Sequence, residues 1–248
     1  MRTHDSLYLE ENRYQDPKQL HLEIVEKIKQ VEKVNEKQID SILDAGCAAG
    51  EFAFVLKQNF PYSHVAGFDL LPDLVKKAEL QVNGCKFFRA DIQNKNVSLR
   101  NLFDVVVCTG VLSIFDTFEE VINNLISWVK PGGTVFIHSL FNDFPINVFV
   151  QYNLSDNYSS GVRESGWNIF SKKSVADFLE QSVETKLVDS YSFCDFEMTR
   201  ELERREDVVR SWTEKTIDGK LQITNGLMFR QPHAILEIKK PLYGSRRI

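Results

Sequence analysis

Ser41-Ile42-Leu43-Asp44-Ala45-Gly46-Cys47-Ala48-Ala49-Gly50-Glu51-Phe52 reads as a short apolar strand ending in an acid, followed by a loop with little or no side chain. A helix is predicted to follow over Glu51 to Gln58. Small residues let backbone N–H groups approach a ligand closely, beside the positive end of a helix. In open α/β sheets such turns lie at the carboxyl ends of parallel strands, where nucleotide-like ligands collect. The same kind of turn also serves merely to close a tight strand-to-helix connection, so its meaning depends on what surrounds it.

Outward from the loop, three further apolar runs follow in order. Val65-Ala66-Gly67-Phe68-Asp69-Leu70 carries its acid at the offset where a nucleotide-binding sheet sets a carboxylate for ribose hydroxyls, about twenty residues on. Cys85-Lys86-Phe87-Phe88-Arg89-Ala90 is closed by Asp91 and Ile92, and Phe103-Asp104-Val105-Val106-Val107-Cys108 opens into Thr109-Gly110-Val111-Leu112. This series resembles the class I S-adenosylmethionine-dependent methyltransferases, particularly the group acting on small molecules. The resemblance covers about Ile39 to Leu140. It implies a three-layer, Rossmann-like α/β fold with a mostly parallel seven-stranded sheet and an antiparallel last strand. It also implies that the Asp44, Gly46, Cys47, Ala48 and Gly50 loop wraps the methionine part of the cofactor, and that Asp69, with Leu70 beside it, holds the ribose. Asp91 would take the adenine amino group, Ile92 the ring face, and Thr109, Gly110 and Val111 would lie near the sulfonium. One departure is Ala48, where the family's commonest loop has glycine. A branched residue at Gly46 is expected to block the close approach of ligand to backbone.

Composition sets bounds on the partners. The chain has 248 residues, 43% hydrophobic and 26% charged, ordinary for a globular protein with a sizeable core. A net charge of -5 offers no broad positive field for nucleic acid. The polar amino terminus lacks a signal-peptide layout, and no apolar run approaches the roughly twenty residues that span a bilayer. Cys47, Cys85, Cys108 and Cys194 are scattered, and neither they nor the five histidines show ligand spacing. The expectation is a cytoplasmic protein without a metal, with a small-molecule acceptor and no nucleic-acid or membrane partner.

The remainder is expected to form one domain with appendages. Asp16-Pro17 gives helix-start signals, and Leu20, Ile24, Ile28 and Val31 make one apolar helical face within an amino-terminal segment, residues 1–38. Arg13 and Tyr14, just before it, are candidates to reach the methionine carboxylate or cover the site, with plain surface placement as the alternative. Pro72 to Leu80 is a second crossover helix. Thr117-Phe118-Glu119-Glu120 reads as a capping box for a helix to Val129, stopped by Lys130-Pro131-Gly132-Gly133 before a strand from Thr134 to Leu140. The cofactor-binding half thus spans residues 39–140. A helix from Ser171 to Gln181 and strands Lys186–Phe196 and His233–Lys239 complete the family plan. Two segments exceed that plan: residues 142–170, rich in aromatics (Phe144, Phe149, Tyr152, Tyr158, Trp167), and residues 199–230. The second is predicted as a charged helix with Val208, Val209 and Trp212, then a hairpin turning at Asn225-Gly226. Both are expected to wall the acceptor side, with Tyr152, Trp167, Trp212 and Phe229 as its aromatics; surface elaboration or a homodimer contact is the other reading.

Methyl transfer from a sulfonium is an in-line displacement, so positioning and exclusion of water supply much of the acceleration. A hydroxyl acceptor usually needs a base. His138, near the end of the fifth strand, is the catalytic candidate, with a core histidine as the alternative; His233 is a weaker one. A nicotinamide dehydrogenase would require glycine where Ala48 and Glu51 stand, and a base methyltransferase would carry an Asn/Asp-Pro-Pro-aromatic motif where Thr109 to Leu112 stand. Oxygen is favoured over nitrogen as acceptor. The rival from another class is a protein that binds the cofactor as a scaffold or sensor without catalysis.

Overall fold

The computed structural model describes residues 8–204, 206–207 and 209–242. Val208 and the side chain of Tyr158, both named above, lie outside that set. Strands β1 (Ser41–Ala45), β2 (His64–Asp69), β3 (Cys85–Arg89), β4 (Phe103–Thr109) and β5 (Val129–Asn142) are parallel neighbours in the order β3-β2-β1-β4-β5. With β6 (Gln151–Tyr152), β7 (Glu164–Ser165), β8 (Phe170–Ser171), β9 (Ser190–Asp195), β10 (Trp212–Lys215), β11 (Leu221–Thr224) and β12 (His233–Lys239) numbered along the chain, the sheet continues β5-β12-β9. Strand β12 is antiparallel to both neighbours, so β9 runs with the rest and the antiparallel last strand is inserted between β5 and β9. Strand β8 adds a short parallel rung beside Phe141.

Side chains on successive strand positions face opposite ways, and β4 shows how this builds three layers. Val105 and Val107 pack with Ile24 and Ile28 of helix α1 (Gln19–Asn35), Phe52 and Leu56 of α2 (Glu51–Asn59) and Val75 and Ala78 of α3 (Pro72–Gln81). Val106 and Cys108 join the opposite core, with Ile122 and Leu125 of α4 (Glu119–Trp128) and Val175 and Leu179 of α5 (Lys172–Glu184). Because both faces are covered, Val105 to Cys108 of β4 make a continuous apolar run rather than an alternating one.

Several local expectations are corrected. Helix α1 begins at Gln19, not at Asp16-Pro17: Lys18 is extended at φ −60°, ψ 142°, and the Asp16 carboxylate is paired with Arg200. Phe118, not Thr117, precedes α4, and its amide donates to Glu119 Oε2 at 3.1 Å, so the capping box does not form. The Lys130–Gly133 turn lies inside β5 as a bulge: Phe103 pairs Val129, yet Val105 pairs Thr134. The described residues 199–204 and 206–207 form no helix. Leu202 is held extended, accepting from Thr213 N at 3.0 Å and donating to Thr213 Oγ1 at 2.9 Å. The hairpin joins β10 to β11 through a turn at Gly219 (φ +80°) and not at Asn225-Gly226. Asn225 is buried instead, donating to Val209 O at 2.9 Å and accepting from Leu227 N at 3.1 Å.

Candidate functional site

The chain leaves β1 toward β2 and β3 on one side and reaches β4 and β5 on the other, which opens a crevice at the carboxyl ends of these strands. A cavity of about 390 Å³ fills it. Asp44, Gly46, Cys47, Ala48, Asp69, Leu70, Asp91, Ile92, Thr109, Gly110, Val111 and His138 all line this cavity. Three other candidates do not. Gly50 starts α2 at φ +82°, and a Cβ there would press on Ala78 and Phe87. The Arg13 guanidinium lines only a second, adjoining cavity of about 440 Å³ and is paired with Glu11 at 3.0 Å. Tyr14 donates to Ala49 O at 2.7 Å, bracing the loop from behind; burial and then the Glu51 charge push its pKa up to about 12.

The loop is held by its own neighbours. Gly46 N and Cys47 N both donate to Phe68 O at 2.9 Å, tying the turn to β2. Ala48 is forced into the left-handed region at φ +46°, and its amide donates to Asp69 Oδ2 at 3.0 Å. Asp69 Oδ1 accepts from Leu71 N at 3.0 Å, so one carboxylate fixes both the loop and the start of α3. Asp91 Oδ1 accepts from Gln93 N at 2.9 Å. Asp69 thus has a structural duty that spacing alone does not reveal.

Asp44 is the most unusual group. It is 1% exposed, and neither carboxylate oxygen meets a donor in bonding geometry among the described residues. Burial, then the Asp69 charge, raise its pKa to about 7, and the Ala53 amide dipole offsets this only in part. A buried acid with no partner is costly unless a ligand supplies a counter-charge. A cofactor carrying positive charge at this point fits that requirement. The apolar lining from Phe68, Leu74 and Ile92, with Asp69 and Asp91 as acceptors, likewise fits a nucleoside with hydroxyl and amino donors.

His138 is buried and stacked on His233, with ring centroids 5.0 Å apart and planes within 14°. Its Nε2 lies 2.9 Å from His233 Nδ1, while His233 Nε2 lies 3.4 Å from Gln231 Oε1. Since the Gln231 carbonyl can only accept, His233 donates to it and His138 donates to His233, leaving the His138 Nδ1 lone pair buried without a partner. Burial holds both rings neutral: His233 falls to about 4, and His138, further depressed by the charges on His233 and Lys18, lies well below its usual value. Of the four aromatics expected on the acceptor wall, Trp167 alone lines the cavities; Tyr152 donates to Glu164 at 2.8 Å, and Trp212 lies under Arg204 at 5.0 Å. Lys18, His21, Ser211 and Gln231 also line the site and carried no sequence signal.

A cavity at the carboxyl edge of a doubly wound sheet of this order defines a Rossmann-like nucleotide-binding domain. Residues 9–182 match the model of a family described as a methyltransferase domain, and the chain belongs to that family. It is similar to a malonyl-[acyl-carrier protein] O-methyltransferase from Halalkalibacterium halodurans, 26% identical over 170 residues, covering 64% of this chain and 60% of the relative. It is also similar to phosphoethanolamine N-methyltransferase 1 from Zea mays, 31% identical over 111 residues, 43% of this chain and 22% of that protein. The chain therefore spans less than two thirds of either relative's length. In fold it resembles an amino pentose methyltransferase from Micromonospora echinaspora, with a TM-score of 0.56, 12% identity and 97% of both chains covered. The plantazolicin methyltransferase BpumL gives a TM-score of 0.57 at 14% identity over 95% of this chain and 94% of its own.

Proposed function

We propose that this chain is an S-adenosylmethionine-dependent methyltransferase that moves a methyl group to an oxygen of a small-molecule acceptor. The observation that carries the reading is the convergence of Asp44, the Gly46–Ala48 turn, Asp69, Asp91 and Thr109–Val111 on one cavity. When bound, S-adenosylmethionine supplies an electrophilic methyl group on a sulfonium. In this reading Asp44 offers the counter-charge, Asp69 accepts from the ribose, Asp91 accepts from the adenine amino group and Ile92 covers the ring. The second cavity adjoins the first at Thr109, Gly110 and His138, and takes the acceptor. Trp167 and Ser211, from the segments 142–170 and 199–230, close the wall and keep water out.

His138 and His21 both line the cavities with an Nδ1 that has no partner among the described residues, and His138, near the end of β5, is the candidate base. Its depressed pKa makes it a weak one. That favours an oxygen acceptor that sheds its proton easily, or has already lost it, over an alcohol. The relatives include both an O- and an N-methyltransferase, so the acceptor atom rests on the site alone.

Calorimetric titration with S-adenosylhomocysteine tests the cofactor site. A carboxylate accepting two hydroxyls makes bonds of about 1.5–3 kcal/mol each, so Asp69→Ala should lower affinity by roughly one to several orders of magnitude. Asp69→Asn, which keeps an acceptor for Ala48 N, separates the ribose contact from the loop contact. Equal affinity in wild type and both variants would remove Asp69 from the site. A scaffold protein would bind normally yet form no methylated product with any acceptor.

A further inference from the structure

We propose that Lys18 is the anion-holding residue of the acceptor cavity, and that the acceptor is a small carboxylic acid methylated on its carboxylate oxygen; this rests on the methyltransferase reading above. The second cavity is lined by several cationic side chains. Arg13, Lys18, Arg200 and Arg210 all line it. Three of them are committed: Arg13 and Arg210 to Glu11, and Arg200 to Asp16 at 2.6 Å. The Lys18 ammonium, partly buried where the two cavities meet, has no ion pair or hydrogen bond among the described residues. Among the described residues that line the second cavity, no buried carboxylate is left unpaired to hold a cationic acceptor; Glu51, buried in the first cavity, accepts from Arg13 N at 2.8 Å, and the Glu11 and Glu51 charges offset the burial of Lys18 only in part. Glu11 is shared by the two arginines, Asp16 is taken, Glu201 is paired with Lys215 at 2.6 Å, and Glu203 is exposed on the rim.

The Lys18 charge is felt by its neighbours. Burial first, and then the Lys18 charge, push His21 toward the neutral form; for His138 burial and the His233 charge come first and the Lys18 charge adds to them. Lys18 itself is driven toward neutrality by burial. An anion seated against Lys18 relieves the desolvated ammonium, which a neutral or cationic acceptor would not do.

The chemistry agrees with the missing base. An ordinary carboxylic acid, with a pKa of about 4, is fully ionised at neutral pH. A carboxylate oxygen uses its own lone pair to form the new O–CH₃ bond while the CH₃–S bond breaks and its electron pair stays on sulfur. The sulfonium becomes a neutral thioether, the carboxylate becomes a neutral ester, and no proton moves. The ester no longer makes a charge-assisted bond to Lys18, which speeds its departure.

The test uses protein saturated with S-adenosylhomocysteine, titrated in a calorimeter with succinate and benzoate, and with benzyl alcohol and benzylamine as matched controls. At least one acid should bind while the alcohol and amine do not. Lys18→Met should weaken the acid by about tenfold or more, and Lys18→Arg should restore most of it. The affinity for S-adenosylhomocysteine should stay within about threefold in both variants. Failure of both acids to bind, or equal binding by Lys18→Met, overturns the proposal. So does a Lys18→Met variant that loses S-adenosylhomocysteine instead, since the ammonium would then serve the cofactor's own carboxylate. Wild type that does not take up S-adenosylhomocysteine would sink the methyltransferase reading itself, which the other outcomes leave standing.

Discussion

Gly46 and Ala48 sit two residues apart in left-handed conformations, and only one of them is glycine. A Cβ at Gly46 would overlap Val111 Cγ2, at a φ of +81°. The expectation that a side chain here would obstruct the ligand thus needs revision: the obstacle is another protein residue, so the first casualty is stability. Gly46→Ala should cost about 1–2 kcal/mol for the left-handed backbone and about 1–3 kcal/mol for overpacking. Adding Val111→Ala should recover only the second part. Ala48 bears the opposite lesson. It is held at φ +46° by its bond to Asp69, so Ala48→Gly trades about 1–2 kcal/mol of left-handed strain for about 0.5–1 kcal/mol of backbone entropy. Ala48→Gly should be neutral to stabilising by about 1 kcal/mol, with unchanged S-adenosylhomocysteine binding. Thermal unfolding of the three variants checks both signs. A destabilised Ala48→Gly would mean that the loop does not carry the strain its φ indicates.

At the scale of elements, the amino-terminal arm and the chain after β9 are joined by ion pairs and hydrogen bonds. Glu11, 8% exposed, takes both Arg210 and Arg13; Asp16 takes Arg200; and Gln19 exchanges bonds with Glu197 and Thr199. Glu11→Gln would leave two partly buried guanidinium groups sharing a neutral acceptor. Removing one partner of a buried pair costs about 3–5 kcal/mol; partial exposure of both arginines brings the expected loss to about 1–3 kcal/mol. The variant should also be cleaved faster by trypsin within residues 200–215, because the Glu11 pair clamps Arg210 to the amino-terminal arm. Unchanged cleavage would show that the hairpin, and not the clamp, orders it. This clamp also explains what was legible in sequence. The βαβ half was readable because strand runs, small-residue loop and terminal acids repeat at spacings fixed by local geometry, and β1 to β4 fall where they were expected. Residues 199–207 have helical composition but no apolar face, and Thr199, Arg200 and Leu202 are bound instead by partners far away: Gln19, Asp16 and Thr213. Asn225-Gly226 is a sound turn signal, yet the Asn225 side chain is spent on Val209, and the shorter route through Gly219 closes the hairpin. Lys18 gave no signal at all, since a lysine ahead of an amphipathic helix looks like any solvated one.

Over the whole molecule, the cavity concentrates buried groups whose charge states oppose one another. His21, His138 and His233 have pKa values pushed below their ordinary 6.5, so each contributes stability that is present above that value and lost as pH falls toward its folded-state pKa, about 4 for His233. Asp44 is raised from 3.8 to about 7, so its contribution is present below 3.8 and lost as pH rises through about 7. Between pH 4 and 6.5 the unfolded chain takes up protons at the histidines while the folded chain alone keeps one on Asp44, which partly cancels them. Each group weighs about 1.4 kcal/mol per pH unit at full difference, so Asp44→Asn should steepen the acid loss of stability of the free protein. The same carboxyl should govern cofactor binding with the reverse sense. A positively charged ligand beside Asp44 favours its ionised form, so binding below pH 7 must first displace a proton. Affinity for S-adenosylmethionine should fall by up to about tenfold per pH unit as pH drops from 7 to 6, and level off above pH 8. Asp44→Asn should bind more weakly at pH 8 and lose most of this pH dependence. Calorimetry in two buffers of different ionisation enthalpy counts the protons directly: close to one released on binding at pH 6 by wild type, and none by the variant. Release of the same number of protons by both would move the titrating group elsewhere, and Asp44 would then be a buried acid without a ligand to balance it.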